Sequence, residues 1–285
     1  MEGNTRRVMI ALVLTATFMV VEVIGGILSG SLALLADAGH MLTDTMALAL
    51  AALAFRVSRR PADRRLTYGY RRFQILAAFV NGLSLLLIVG WILVEAVRRF
   101  MDPPEVLGTT MLVVAAAGLV VNLVAFIVLH GGDRSNLNIR GAALHVLGDM
   151  LGSVAAIVAA VVIIRTGWMP IDPILSVAVA MLILRSAWTL VRHSAHVLLE
   201  GAPDWLDVDE MRRKVVCRVP EVTDIHHVHV WGLTPQDLML TMHVRLEAET
   251  ASPTQVIRGV KACVEEEYGI GHSTIEIETD DCADH

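Results

Sequence analysis

Ala38-Gly39-His40-Met41-Leu42-Thr43-Asp44 and Ala143-Leu144-His145-Val146-Leu147-Gly148-Asp149 carry the architecture of this chain. Each is a His-x-x-x-Asp set inside a long apolar run. On a helix, residues four apart share one face, separated by a rise of about 6 Å. Each segment therefore aims one imidazole and one carboxylate in a single direction. Ionisable groups at membrane depth are costly, and where they persist they mark function. If the two faces meet, His40, Asp44, His145 and Asp149 supply two nitrogens and two anionic oxygens. That set suits tetrahedral Zn²⁺. Two neutral histidines, two carboxylates and a divalent cation carry no net charge, which removes much of the penalty of burying them in hydrocarbon. Without metal the same groups must take up protons or water, so binding the ion is linked to proton release. Interhelical hydrogen bonding would account for one such pair. It is a poorer account of two pairs in separate segments.

Outward from these pairs, apolar stretches run at about 8–28, 34–55, 73–97, 106–129, 141–164 and 171–191. Each reaches the roughly 20 helical residues that cross a bilayer. Hydrophobic residues make up 55% of the 285 residues and charged ones 18%, with a mean hydropathy of +0.60. A soluble domain carries about 25% charge, so a disordered or ordinary soluble protein is excluded. Glu22 interrupts the first stretch and no small-residue cleavage site follows it, which argues against a removable signal peptide. The expected fold is a mainly α membrane protein: a six-span transmembrane helix bundle over residues 1–200, then a small cytosolic α+β domain over residues 201–285.

Charge divides the chain in the same way. Residues 1–200 hold 16 Lys/Arg against 12 Asp/Glu, and residues 201–285 hold 7 against 17. An acidic tail is a poor ligand for nucleic acid but attracts cations. Arg56, Arg59, Arg60, Arg64, Arg65, Arg71 and Arg72 crowd the second connection. Arg134 and Arg140 lie in the fourth, and Arg6 and Arg7 at the N-terminus. The other side has only Arg98, Arg99 and Arg165. The positive-inside bias then places both termini in the cytoplasm. Cys217, Cys263 and Cys282, an odd and scattered set, fit a reducing compartment.

The tail reads as a helix at 206–218 capped by Asp207 or Asp204, strands at 222–232 and 238–247, a helix at 253–268 and a strand at 273–279. The two strands flank Leu233-Thr234-Pro235-Gln236-Asp237. A hairpin centred on Pro235 pairs residues whose numbers add to 470, so His227 faces His243 and His226 points to the other face. Two such rings could share a metal, or be plain surface residues of the hairpin. Glu276 and Glu278 alternate with apolar residues and offer a carboxylate. Cys282 could ligate a soft metal, but a disordered acidic end is the favoured reading. Asp37, Asn122 and Asp172 read as structural hydrogen-bonding groups, Glu22 as packing or cavity lining, and Glu265-Glu266-Glu267 as a solvated helix face.

The run from Gly30-Ser31-Leu32 through Ala36-Asp37-Ala38-Gly39-His40 to Asp44 resembles the second-span signature of the cation diffusion facilitator family. Tyr68-Gly69-Tyr70-Arg71-Arg72, the His145/Asp149 pair and Leu198-Leu199-Glu200-Gly201-Ala202-Pro203 are similar to that family too. The resemblance covers nearly the whole chain. It implies a six-span, homodimeric, proton-coupled exporter of divalent metal in the plasma or inner membrane, with a cytosolic ferredoxin-like domain. It implies transport ligands at His40, Asp44, His145 and Asp149, the zinc-type set, which also admits Cd²⁺, Co²⁺ or Ni²⁺. It further implies regulatory Zn²⁺ at His227 and His243, with Glu278 as a weaker third ligand. An ion pair of Arg72 with Glu200 at the cytoplasmic face matches a charge pair in a related exporter type; contact of Arg72 with lipid phosphate is the alternative. Two family features are missing. Leu66 and Tyr70 stand where a metal site in the second connection would have histidines, and the fourth connection has the lone His130.

Other chemistries fit less well. A membrane haem protein would use His40 and His145 as axial ligands and leave Asp44 and Asp149 without a purpose. An intramembrane metalloenzyme would show His-Glu-x-x-His or a nucleophile elbow, and neither occurs. A secondary transporter, not an enzyme, is expected.

Overall fold

The computed structural model describes residues 2–58, 60–130, 137–247, 252–279 and 282. Side chains are not described for 2–9, 11–12, 40, 43–52, 55, 129–130, 137–145 and 147–148. Six long helices come first: α1 (Glu2–Ser29), α2 (Leu32–Ser58), α3 (Phe73–Met101), α4 (Gly108–His130), α5 (Leu137–Thr166) and α6 (Ile171–Leu198). They contain the six apolar stretches almost end for end. Among the described residues, Phe73–Met101, Gly108–Val128, Asp149–Thr166 and Ile171–Leu198 are long and apolar enough to cross a membrane, and Val13–Ser29 is a shorter apolar helix. The chain divides into two compact units, residues 1–51 with 80–191, and residues 52–79 with 192–285.

In the first unit, packing sets alanines, which let helix backbones approach closely, against larger apolar side chains. Ala33 and Leu34 of α2 join Met111 and Ala115 of α4 and Ala156, Ala159, Ala160 and Ile163 of α5 in one buried cluster. Ala36 of α2 joins Leu85, Val89 and Ile92 of α3 with Ala180, Ile183 and Ala187 of α6 in another. Neighbouring residues of α2 thus serve both clusters. Apolar side chains such as Leu87, Val94, Val113 and Leu182 face outward.

The start of α2 is held from α6. Gly30 takes a left-handed conformation (φ 72°) between α1 and α2, which costs glycine nothing. Beyond it, the backbone amides of Leu32 and Ala33 donate to the Asp172 carboxylate at 2.8 and 3.2 Å, and Ser31 Oγ donates to the same group at 2.7 Å. A helix leaves its first N–H groups without partners. Here a carboxylate 140 residues away satisfies them.

In the second unit, α7 (Val208–Arg218) starts at Asp207, whose side chain accepts from the amides of Asp209 and Glu210. Next come β1 (Val222–Gly232), β2 (Leu238–Leu246), α8 (Pro253–Tyr268) and β3 (His272–Glu278). The sheet order is β1-β2-β3, with β1 and β2 antiparallel and β2 and β3 parallel. A parallel pair needs a crossover, and α8 supplies it. Met211, Val215, Val256, Val260 and Val264 of the two helices bury against Ile225, Leu240, Met242 and Val244 of the sheet. The result is the small α+β domain expected of the tail.

The hairpin register departs from expectation. His229↔Thr241, Val230↔Leu240 and Trp231↔Met239 add to 470 as anticipated, but a register shift follows, and beyond it Ile225 opposes Val244 and His226 opposes His243. His227 sits in the irregularity at φ 48°. Assigning His226 to the opposite face was therefore wrong. A bulge inserts an extra residue into β1, so residues 224–226 change face, and a second shift follows between Val222 and Asp224.

Candidate metal centres

In the first unit, α2 carries positions 40 and 44 and α5 carries 145 and 149, each pair one turn apart on an unbroken helix. The side chains of His40, Asp44 and His145 lie outside the described residues. Asp149 is described and fully buried. One turn before it in the packing, Asp37 of α2 lies directly on Gly152 of α5. A Cβ added to Gly152 would come within 2.3 Å of Asp37 Oδ1, so only glycine allows this approach.

Further polar groups line the same interior. Glu22, Asn122 and Ser153 are buried, and Glu22 Oε1 would meet a Cβ on Gly118 of α4 at 3.0 Å. Among the described residues, neither carboxylate oxygen of Glu22 nor either amide atom of Asn122 has a hydrogen-bond partner. Asn122 thus lacks the hydrogen bonds expected of a structural group, whereas Asp172 makes them as the cap of α2. Gly152 and Ser153 of α5 are residues of this interior that sequence reasoning did not single out. Their signal was present, since both follow the Asp149 motif within a turn.

In the second unit the bulge gathers three histidines. Ring centroids lie 5.6 Å apart for His226 and His243, 4.9 Å for His227 and His243, and 5.4 Å for His226 and His227. Glu278, at the end of β3 with a side chain only 6% exposed, sits between two of them. His243 Nδ1 is 2.9 Å from its Oε1. His226 Nε2 is 2.9 Å from its Oε2 but without hydrogen-bond alignment. The outer ring nitrogens meet other carboxylates: His226 Nδ1 lies 3.1 Å from Asp224 and His243 Nε2 lies 3.6 Å from Glu276. Carboxylate, imidazole and central site in line is the usual way of orienting a metal-ligating histidine. Burial pushes the Glu278 carboxyl up. Hydrogen bonds from Cys282 and His243 and the charges of His226 and His243 together outweigh burial and hold it below the ordinary range. Of the residues expected here, His243 and Glu278 come together and the His227 ring lies against that of His243, while His226, not His227, opposes His243 in the sheet. A ligand atom from each of His226, His243, Glu278 and Cys282 falls within 4.8 Å of all the others.

The second connection also belongs to this unit. Tyr70 Oη donates to Asp63 Oδ2 at 2.6 Å, and Asp63 Oδ1 accepts from the amides of Arg65 and Leu66. The Tyr70 hydrogen bond, followed by those amides, lowers the Asp63 pKa. Arg72 donates to Glu200 at 3.0 Å, and Arg71 pairs with Asp237 of the hairpin turn at 2.9 Å. These groups are largely exposed, so each pair contributes at most about 1 kcal/mol.

Residues 8–199 match the cation efflux transmembrane domain and residues 203–280 match the cation efflux protein cytoplasmic domain. The zinc transporter ZitB of Pectobacterium atrosepticum is 51% identical over 99% of this chain and 88% of its own length. ZitB of Escherichia coli is 50% identical over 99% of this chain and 90% of that protein. A cadmium, cobalt and zinc/H(+)-K(+) antiporter of Bacillus subtilis is 44% identical over 98% of this chain and 91% of that protein. With its apolar helices and its small α+β domain, the chain belongs to the cation efflux family and is a multi-pass membrane transporter, not an enzyme.

Proposed function

We propose that the chain exports Zn²⁺ from the cytoplasm in exchange for protons, holding the ion between α2 and α5 with His40, Asp44, His145 and Asp149. The observation that carries this reading is the seating of Asp37 on Gly152. Asp37 of α2 meets Gly152 of α5, and Leu34 and Ala156, one turn away on each helix, share one buried cluster. Antiparallel helices extended by one and two turns from this contact would bring position 40 towards 149 and 44 towards 145, which supports the reading. Zinc as the cargo follows from the two-His, two-Asp donor set and from the names of the ZitB relatives. Proton exchange follows from the linkage between ion and protons and from the naming of the Bacillus relative as an antiporter.

In this mechanism Zn²⁺ entering from the cytoplasm displaces protons from the four ligands. The helices then present the site to the other side, as alternating access requires. Protons there compete for the imidazoles, which titrate near working pH, and the ion leaves. The transport domain is residues 1–200, with both termini cytoplasmic in a plasma or inner membrane. Residues 201–285 form the metal-sensing and dimerisation domain of a homodimer. His226, His243 and Glu278 hold a regulatory Zn²⁺ whose charge offsets the repulsion between two acidic tails. The Arg72–Glu200 pair ties the second connection to the end of α6 on the cytoplasmic side.

The test is Zn²⁺ uptake into inverted vesicles under an imposed pH gradient. Asp149→Ala and Asp44→Ala should each abolish uptake while the purified variants still elute as dimers. Proton-driven uptake at the wild-type rate in either variant would overturn the assignment.

A further inference from the structure

We infer that Cys282 is the fourth ligand of the cytosolic site, so that metal binding fastens the C-terminal end of the chain onto the sheet. This rests on the reading of His226, His243 and Glu278 as a metal site, and it deepens that reading. Cys282 Sγ lies 3.7 Å from His243 Nδ1. Around a tetrahedral Zn²⁺ with bonds of about 2.0–2.3 Å, neighbouring donor atoms stand roughly 3.3–3.8 Å apart. The sulfur is therefore already at ligand spacing. The two nitrogen–oxygen separations of 2.9 Å need only open by a few tenths of an ångström.

Charge and donor number point the same way. Two imidazoles and one carboxylate around Zn²⁺ leave a net +1 and an open position, the arrangement of a catalytic zinc. A thiolate closes the shell and brings the cluster to neutrality, the arrangement of a structural or sensing zinc. Glu278 is 7% exposed, and its Oε2 faces His226 Nε2 out of hydrogen-bond alignment. Buried polar atoms that face one another unaligned are placed for a third atom between them. When the ion binds, the Cys282 thiol gives its proton to solvent and its sulfur lone pair to the metal. Sulfur also narrows the choice of ion, because soft donors select zinc- or cadmium-like cations over hard ones such as Mg²⁺ or Ca²⁺.

The experiment uses the full chain in detergent with Asp44→Ala and Asp149→Ala disabling the transport site, and Co²⁺ as the spectroscopic probe. The expected spectrum has visible d–d bands plus a near-ultraviolet thiolate-to-Co²⁺ charge-transfer band. Adding Cys282→Ser should remove the charge-transfer band, leave the d–d bands and weaken Zn²⁺ affinity. Loss of an outer-shell partner alone weakens a site about 10–100-fold, so at least that loss is expected. Cys217→Ser, at the exposed cysteine, should change nothing, and His243→Ala should remove both sets of bands. A charge-transfer band that survives Cys282→Ser, or is missing while the d–d bands are present, overturns the sulfur ligand and leaves the site standing. Absence of both sets before Cys282 is touched overturns the site itself.

Discussion

Replacing Asp172 by Ala tests whether one carboxylate of α6 sets the start of α2. The change leaves Ser31 Oγ and the amides of Leu32 and Ala33 without their acceptor. All three residues and Asp172 are fully buried or nearly so. A buried donor left unsatisfied costs about 1–3 kcal/mol, and loss of a helix cap costs about 0.5–2 kcal/mol. Ser31 Oγ can turn towards another acceptor, which leaves the two amides and a destabilisation of about 3 kcal/mol. For a unit of this size that lowers the unfolding temperature by about 6–12 °C. Asp172→Asn keeps one acceptor oxygen and should lose about half as much. Thermal unfolding of the detergent-purified protein, followed by the fraction that remains monodisperse after heating, reads the stability. Zn²⁺ flux should fall as well, because α2 carries positions 40 and 44 two to three turns from the cap. An unfolding temperature within 2 °C of wild type for Asp172→Ala, on the same scale, would refute the capping argument.

Other outcomes follow from the same geometry. Gly152→Ala puts a methyl group against Asp37 and should cost about 1–3 kcal/mol by overpacking, with Zn²⁺ flux falling more than protein yield. Arg72→Glu should lower flux, and the double change Arg72→Glu, Glu200→Arg should restore much of it. Neither variant should shift stability by more than about 1 kcal/mol, since the pair is partly exposed. Glu278 has a lowered pKa, so the stability it contributes is complete above its ordinary 4.5 and fades as pH falls through its folded value. Glu278→Gln should flatten the acid limb of the unfolding profile below about pH 4.5, measured by circular dichroism on the metal-free chain.

Much of this molecule was legible in its sequence because its strongest signals are local. Six apolar runs are long enough to be nothing but helices, and they end where polar and glycine residues cluster. Asp207 announces α7, Pro253 and Gly269 bracket α8, and alternation marks the three strands. The hairpin failed at one residue. Pairing by number assumes an unbroken ladder, and nothing at His227 warns of a left-handed backbone, since the usual glycine or asparagine is absent. Which histidine opposes His243 across the sheet turned on that residue. Asp172 as the cap of α2 was equally hidden, because no local pattern links residues 140 apart. Cys282 read either as a soft-metal ligand or as loose acidic terminus, and the parallel placement of β3 beside β2 brings it near His243.

The kink at His227 has a second effect, on how copies of this chain can meet. β1 lies at one margin of a three-stranded sheet, and a straight, open margin invites a foreign strand to zip on and seed fibres. By breaking the even spacing of amides and carbonyls along that margin, the irregularity makes it a poor template. Two molecules are thereby steered away from merging their sheets into one continuous ribbon. The turn of backbone that gathers the histidines thus also makes this margin a less regular one for a foreign strand to pair with.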